Sequence, residues 1–565
     1  MSTQPQRESL KRRGAFYTPV KIASFLVNWA VRSRDDVVLD PGCEEAIFLL
    51  EAYRRLLELG AKPSSALEKI YGVELDPQAF RRTLELLEEK TGLKPSHIFN
   101  MNFFEVGTLF SPPLPQFDVV MGNPPYVRYH HFEGNMRAQA LQAASRLEVS
   151  LPQLTSAWAP YIVHASAFLK EGGCLAMVLP AELLYVDYAH AVRRFLLQQF
   201  KRVTVVTFEQ RVFPGVLEEV ILLQAEGKEG TPRSLLSPLL RTVRLQKLED
   251  LPHLEEGLSR YETIAVVEPA AKWVHYLLPT DQARLYNELV EREEVIPFGE
   301  VAKVDIGVVT GSNDFFLLSR EAIEQWEIEP EFVTKAIRKA ADIPGALFTE
   351  ADWEALRRGG EKCYLLHIDL PPDILRAYRL WNYILYGQER RVNSGFKCRT
   401  RVPWYAVPYI RIPNVFLTYM ANQTPRLVLN EAGVVSTNTI HGVYLLSPEQ
   451  VNERALVASF YNSLTLLSAE LVGRSYGGGV LKLETQEAEK VKLVIPKDSS
   501  IVQELAWVAP QIDGLLRQKR AGEAIALVDR ILLRDYLKLD DRALSLLCEA
   551  HGSLQSKRMA RTRTC

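Results

Sequence analysis

The chain predicts a doubly wound, mainly parallel α/β domain over residues 1–240, a connecting stretch over 241–296, a mixed α+β domain over 297–498 and a short helical close over 499–565. Two observations carry this. Short β-branched runs ending in polar or acidic residues alternate with helical patterns through the first half, the order of a parallel sheet with crossover helices. Past Ala225 the alternation stops, and the polar Gly/Pro/Ser-containing stretch Lys228–Pro238 marks a boundary.

Taken in order, Val37-Val38-Leu39 ends in Asp40, turns at Pro41-Gly42 and gives way to an apolar helical stretch from Ala46. Gly72-Val73-Glu74-Leu75-Asp76 is the second strand. Ile98-Phe99 leading to Asn102 is the third, Phe117–Met121 the fourth and Cys174–Leu179 the fifth, with helical patterns at Ala79–Glu89 and Ser156–Glu171. In this fold class an acid closing the second strand takes the hydroxyl pair of a ribose. Glu74 holds that place, with Asp76 as second choice; the competing reading makes Glu74 a strand-end carboxylate that caps the next helix. A nicotinamide-binding fold would also show G-x-G-x-x-G after its first strand, and the sequence lacks it.

The fourth strand runs into Gly122-Asn123-Pro124-Pro125-Tyr126. Open α/β sheets place ligands at the carboxyl ends of their strands, so Asn123 arrives at such an edge. Consecutive prolines fix φ and remove two N–H donors, which holds the carbonyls of Asn123 and Pro124 in set directions and presents Tyr126 as a planar face. The set suits a planar substrate with an exocyclic amine. The Asn123 amide oxygen and the Pro124 carbonyl can accept its two N–H bonds while Tyr126 stacks on the ring. The plainer alternative is a stiffened loop with an incidental tyrosine.

Composition sets the outer limits. At 565 residues the chain holds more than one folding unit. Its 47% hydrophobic and 24% charged residues are those of an ordinary globular protein. Six scattered cysteines form no close pair or ligand cluster, so neither a disulfide framework nor structural zinc is expected, and no metal at all. No apolar stretch is long enough to span a bilayer, and the N-terminus shows no secretory pattern; a cytosolic protein is expected. The net charge of −2 hides an uneven distribution. Between Arg376 and Arg411 stand eight Lys or Arg against one acid, Glu389, interleaved with Tyr378, Trp381, Tyr383, Tyr386, Phe396, Trp404, Tyr405 and Tyr409. Cations mixed with aromatics suit a nucleic-acid groove; a charged face over a small aromatic core is the alternative.

Together Thr18-Pro19 after an aromatic, Asp40-Pro41-Gly42-Cys43, Gly72-Val73-Glu74 and Asn123-Pro124-Pro125-Tyr126, in that order, resemble the gamma-class adenine N-6 DNA methyltransferases of the TaqI type. The resemblance implies a class I (Rossmann-like) methyltransferase domain followed by a DNA-specificity domain, with S-adenosylmethionine as methyl donor. By it, Tyr17, Thr18 and Pro19 close over the methionine end of the cofactor, while Asp40, Pro41 and Gly42 hold its amino-acid portion and Glu74 its ribose. Asn102 stands where the family has an aspartate bonding the cofactor adenine, with Phe103 flanking that ring. Asn123, Pro124 and Tyr126 are catalytic, Asn123 also bordering the cofactor, and Val212-Phe213-Pro214 supplies Phe213 to sandwich the flipped base with Tyr126. The family's turn reads D-P-x-C-G-x-G, whereas Glu44 and Ala46 occupy the glycine positions here. Glycine there permits φ > 0 and close backbone approach.

In the second half, the Gly-punctuated run Val304–Phe316 and the segment Arg474–Leu483 loosely resemble the family's specificity domain. Arg390, Arg391, Lys397, Arg399, Arg401, Arg474, Tyr476 and Lys482 are the candidate DNA contacts. Leucine spacing from Ser500 predicts closing helices, and Lys557–Arg563 reads as a disordered basic tail adding nonspecific affinity. The expectation is therefore site-specific methylation of adenine N-6 in duplex DNA by base flipping, as the modification arm of a restriction-modification or antiphage system. A separate nuclease partner fits better than a fused one. The alternatives are N-4 cytosine, RNA or protein-glutamine methylation, or a DNA-binding subunit whose cofactor loop has decayed.

Overall fold

The structure is a computed structural model that describes residues 18–107, 114–127, 134–210, 212, 219–231, 239–255, 257, 263–265, 272–476 and 479–559. Two compact units divide the chain, the first ending at Leu277 and the second beginning at Leu278.

The first unit is built on a nine-stranded sheet. Its strands are β1 (Val38–Asp40), β2 (Ile70–Glu74), β3 (Ile98–Asn100), β4 (Phe117–Gly122), β5 (Leu169–Pro180), β6 (Phe200–Phe208), β7 (Val220–Lys228), β8 (Leu239–Leu245) and β9 (Thr263–Ala265). Their spatial order is β3-β2-β1-β4-β5-β7-β6-β8-β9. The five strands expected from sequence are all present and run parallel to one another. From β1 the chain builds outward through β2 and β3, then returns to place β4 on the other side of β1. That reversal opens a crevice at the carboxyl ends of β1 and β4.

Local chemistry accounts for the elements around this crevice. β1 is buried along its whole length and β4 nearly so, as expected for strands covered on both faces. After β2, Asp76 accepts the backbone N–H groups of Gln78 and Ala79, Pro77 opens the helix Pro77–Thr91, and Gly92 closes it at φ 71°. Nine of the ten residues of the helix Trp158–Ala167 are buried.

Three expectations are corrected. Residues past 240 do not leave the first unit: β8 pairs in parallel with β6 and β9 pairs with β8, so the sheet runs on and the unit extends to Leu277. Antiparallel β7 lies between β5 and β6, a strand exchange across the sheet that breaks the regular alternation read along the chain. Lys557 and Arg558 are not a disordered tail; they end the helix Asp541–Met559 and are buried. Residues 560–565 lie outside the described residues.

The second unit is mixed α+β. A five-stranded sheet orders Ala302–Ile306, His441–Leu445, Val415–Leu417, Leu427–Asn430 and Leu347–Phe348, beside a four-stranded sheet and a small three-stranded one of Met420–Ala421, Val480–Lys482 and Arg474–Tyr476. The helices from Ser499 onward close the unit. Among the described residues no single helix is long and apolar enough to cross a membrane.

Candidate active site

The crevice between β1 and β4 collects most of the residues singled out in the first half of the sequence. Register explains how. Asp40 pairs across from Gly72 of β2, and Glu74 across from Asn100 of β3, so three neighbouring strands end in Asp40, Glu74 and the turn leading to Asn102. On the other side of β1, β4 ends at Gly122, next to Asn123. Two glycines let these ends approach. A Cβ on Gly122 would stand 2.7 Å from Oδ1 of Asp40, and one on Gly42 would stand 2.6 Å from the Tyr161 hydroxyl oxygen.

Asp40 is buried, and its Oδ1 accepts the Gly42 N–H at 3.2 Å. Burial pushes its carboxyl up to about 8, with the Gly42 hydrogen bond pulling the other way. Glu74 accepts from the Glu44 N–H at 3.0 Å with one oxygen and from the Asp76 N–H at 2.8 Å with the other. The helix after β2 is capped by Asp76, not by Glu74. Glu74 instead braces the turn after β1. Burial raises its carboxyl as well.

The two residues in the family's glycine positions adopt the backbone that glycine would favour: Glu44 at φ 36° and Ala46 at φ 62°. Left-handed backbone costs a non-glycine residue roughly 1–2 kcal/mol. The Glu74 bond to the Glu44 N–H and the Thr83 hydroxyl donating to the Glu44 carbonyl hold the turn in that shape. Burial, together with the charges of Glu74, Asp40 and Glu45, lifts the Glu44 carboxyl to about 8.

At the end of β3, Asn102 accepts the Phe104 N–H at 3.1 Å and donates to Gln139 at 2.9 Å; Gln139 in turn donates to Glu105 at 3.1 Å. The amide is thereby fixed with its oxygen as the acceptor. Phe103 is 4% exposed. Its ring lies 4.9 Å from Tyr161 and 4.7 Å from His164, within an aromatic cluster.

On the far side, Asn123 donates from Nδ2 to Thr18 Oγ1 at 3.3 Å. This ties the segment before the helix Val20–Ala30 to the end of β4 across 105 residues of sequence. Pro124 and Tyr126 are buried, and the Val127 carbonyl accepts the Ala157 N–H at 3.0 Å. Pro19 stands at the N-cap of its helix. Tyr17 and Phe213 lie outside the described residues. Tyr161, Thr83 and Gln139, which the sequence did not single out, contribute to the site. Each sits within a helical pattern with no local sign of its role.

The donor set is one-sided. Asp40, Glu74 and the Asn102 amide oxygen are all acceptors, suited to a ligand bearing an ammonium group, a cis-diol and an aminated ring.

In the second unit the candidate nucleic-acid contacts separate into two groups. Arg390, Arg391, Lys397 and Arg399 are exposed, and Lys397 and Arg399 flank the ring of Phe396 at 5.8 and 5.4 Å. The other described ones are engaged within the fold. Arg401 donates to the carbonyls of Val309 and Thr310, Arg474 pairs with buried Glu487, and Lys482 pairs with Glu484 at 2.6 Å while lying over Tyr419. The side chain of Tyr476 is outside the described set. Of the eight interleaved aromatics, Tyr383 and Tyr405 are buried; Tyr378, Trp381, Tyr386 and Trp404 pack against the same core. Phe396 and Tyr409 remain in solvent, at 66% and 90% exposure. Most aromatics of this segment thus form a core, as the alternative reading expects, and the exposed cations stand beside two exposed rings.

Comparison with known proteins gives two family matches. Residues 4–233 match the N-6 DNA methylase family, and residues 270–533 match the C-terminal domain of type II methyltransferase M.Eco57I. The type II methyltransferase M.AccI of Acinetobacter calcoaceticus is 21% identical over 94% of each chain. M.XamI of Xanthomonas campestris pv. amaranthicola is 24% identical over 85% of each. In fold, the chain is similar to the type IIL restriction-modification enzyme MmeI, solved in complex with DNA, with a TM-score of 0.56 and 13% identity over 95% of this chain and 75% of that one.

Proposed function

The chain belongs to the N-6 adenine DNA methyltransferases of restriction-modification type, and from that premise we propose that it is a gamma-class enzyme of the TaqI kind whose Asn123, Pro124 and Tyr126 carry the transfer. The observation that carries the proposal is the Asn123–Thr18 hydrogen bond. By donating from Nδ2 it fixes the amide so that Oδ1 serves as acceptor, at the carboxyl end of β4 and beside the acceptor-lined crevice.

S-adenosylmethionine, the methyl donor the family implies, fits the residues present. Asp40 would face its ammonium group, Glu74 its ribose hydroxyls, the Asn102 amide oxygen its adenine amine, and Tyr17, Thr18 and Pro19 its methionine end. Pro41 and Gly42 shape the turn at the amino-acid portion, and Phe103, held in its aromatic cluster, would border the adenine at the ring's edge. When bound, the cofactor supplies an electrophilic methyl group.

The target amine lies inside the base stack, so the adenine rotates out of the duplex, at a cost of a few kcal/mol. Tyr126 and Phe213 would stack on it, and the Asn123 amide oxygen and the Pro124 carbonyl would accept its two N–H groups. Drawing those hydrogens out of the ring plane localises the nitrogen lone pair, and fixed positioning supplies much of the acceleration. The second unit would read the DNA sequence, with Arg390, Arg391, Lys397 and Arg399 on the phosphates. A separate nuclease or antiphage partner completes the proposed system.

The test compares Asn123→Ala and Tyr126→Ala with the wild type. Turnover on cognate duplex should fall about 100-fold or more, while calorimetric S-adenosylmethionine affinity survives, falling far less than turnover in both variants. Equal loss of cofactor binding in both variants would reject this division of roles.

A further inference from the structure

The chain places a saturated guanidinium beneath an exposed loop of the second unit. Arg558, near the end of the helix Asp541–Met559, is 3% exposed. Its Nε and Nη2 donate to the two oxygens of Glu470 at 3.0 and 2.6 Å, a bidentate pair. The remaining donors go to main-chain carbonyls: Nη1 to Asn422 at 2.9 Å, to Ala421 at 3.4 Å and to Gly479, and Nη2 to Gln423 at 2.6 Å. Gly479 leads into the strand Val480–Lys482, and Ala421 ends the strand that pairs with it. One side chain therefore ties together both turns at the tip of the small three-stranded sheet.

The loop is also closed at its base. The Thr418 N–H donates to the Arg426 carbonyl at 3.0 Å, the Arg426 N–H donates to the Thr418 hydroxyl at 2.8 Å, and the Leu483 N–H donates to the Tyr419 carbonyl at 3.0 Å. Residues 419–425 thus form a loop whose backbone is held at root and tip, in which Asn422 and Gln423 are exposed. Holding an ion pair away from water is costly and does little for net stability, its best-attested use being to fix a register. Here what it fixes is the main chain of the two exposed amides.

We propose that Asn422 and Gln423 are base-reading residues, presented to a duplex by the Arg558–Glu470 pair. Each amide carries an acceptor and two donors in one plane, the pattern that matches the N7 and N6 edge of adenine in the major groove. Fixing the backbone beforehand removes the ordering cost that an ordinary loop meets on binding. The assignment rests on the reading of the second unit as the sequence-reading part of the enzyme. Arg558 is a positioning residue in it and does not itself touch DNA.

The experiment expresses wild type, Asn422→Ala/Gln423→Ala and Glu470→Leu/Arg558→Met in a methylation-free host and maps N-6 methyladenine across that host's DNA. Purified proteins are then assayed on the cognate duplex. The double alanine variant should lose definition at one or two motif positions, or lose about 5- to 100-fold in kcat/KM, as a missing bidentate contact would. Its melting temperature, cofactor affinity and salt dependence should match wild type. The apolar replacement of the ion pair keeps a packed core and should weaken cognate binding more than binding to unrelated duplex. An unchanged motif and kcat/KM in the double alanine variant would overturn the assignment, whether or not the ion-pair variant folds. Equal weakening on cognate and unrelated duplex would remove Arg558 from specificity. Absence of modification by the wild type would count against the activity itself, which separates the two failures.

Discussion

Single side chains decide the chemistry at the crevice, and burial sets their charge. The carboxyls of Asp40 and Glu44 are both raised to about 8, chiefly by burial. The folded chain therefore holds protons that the unfolded chain has already released. Their contribution to stability is complete below the ordinary carboxyl range and is lost as pH rises toward 8. A cationic ligand favours the ionised acids, so its binding expels those protons. Cofactor affinity should rise between pH 6 and 8, by at most about tenfold per unit for one proton, and level off above. Isothermal titration across that range measures it. Asp40→Asn should flatten the profile while weakening binding at pH 8; an equally steep profile in that variant would clear Asp40 as the titrating group.

The same residues show how far a motif can be read. Asn123, Pro124 and Tyr126 stand out because consecutive prolines beside an amide and an aromatic restrict the backbone whatever surrounds them. Glu44 and Ala46 stand in the positions of a glycine turn, and both adopt left-handed backbone there, with Glu44 donating its N–H to Glu74 and accepting from the Thr83 hydroxyl at its carbonyl. No local pattern announces a partner 39 residues away in sequence. Arg401, Arg474 and Lys482 were legible as cations but not as engaged ones, since a charge in sequence carries no record of its counter-charge.

At the scale of elements, parallel strands do the positioning, and close packing beneath them leaves little slack. A Cβ on Gly72 would lie 2.9 Å from Cys43 Sγ, 3.0 Å from Leu49 Cδ1 and 3.1 Å from Ile98 Cδ1. Gly72→Ala should destabilise the first unit by about 1–3 kcal/mol through overpacking, seen as a lower melting temperature with an unaltered second unit. Gly122→Ala, aimed at Asp40 Oδ1, should impair cofactor binding more than stability. Matching losses in both readouts for both variants would show that the glycines serve packing alone. Strands β1 to β5 followed from the sequence because each is a short continuous apolar run, and the helix Pro77–Thr91 because it carries its own caps. Strands β7 to β9 did not, because antiparallel insertion and the return to the sheet past residue 240 depend on partners distant in sequence.

For the whole molecule, charge distribution matters more than net charge. The chain is at −2 overall, yet eight cations and one acid lie between Arg376 and Arg411. If Arg390, Arg391, Lys397 and Arg399 lie on phosphates, replacing all four with alanine should lower the slope of log affinity against log salt by about 3–4. Cofactor affinity should not move. An unchanged slope, measured by fluorescence anisotropy on duplex DNA, would place the DNA elsewhere on the second unit.

The sequence by itself determined the α/β order of the first half, the acids that end its strands, the Asn-Pro-Pro-Tyr edge and the basic character of residues 376–411, because each is set by nearest neighbours along the chain. Only the tertiary structure decided that Asp76 caps a helix while Glu74 braces the turn, that six of eight aromatics form a core, and that the supposed basic tail begins with a buried arginine bonded to the backbone of an exposed loop. Hydrogen-bond partners, burial and the sign of a local field are properties of neighbours in space, and folding chooses those neighbours from residues far apart in sequence.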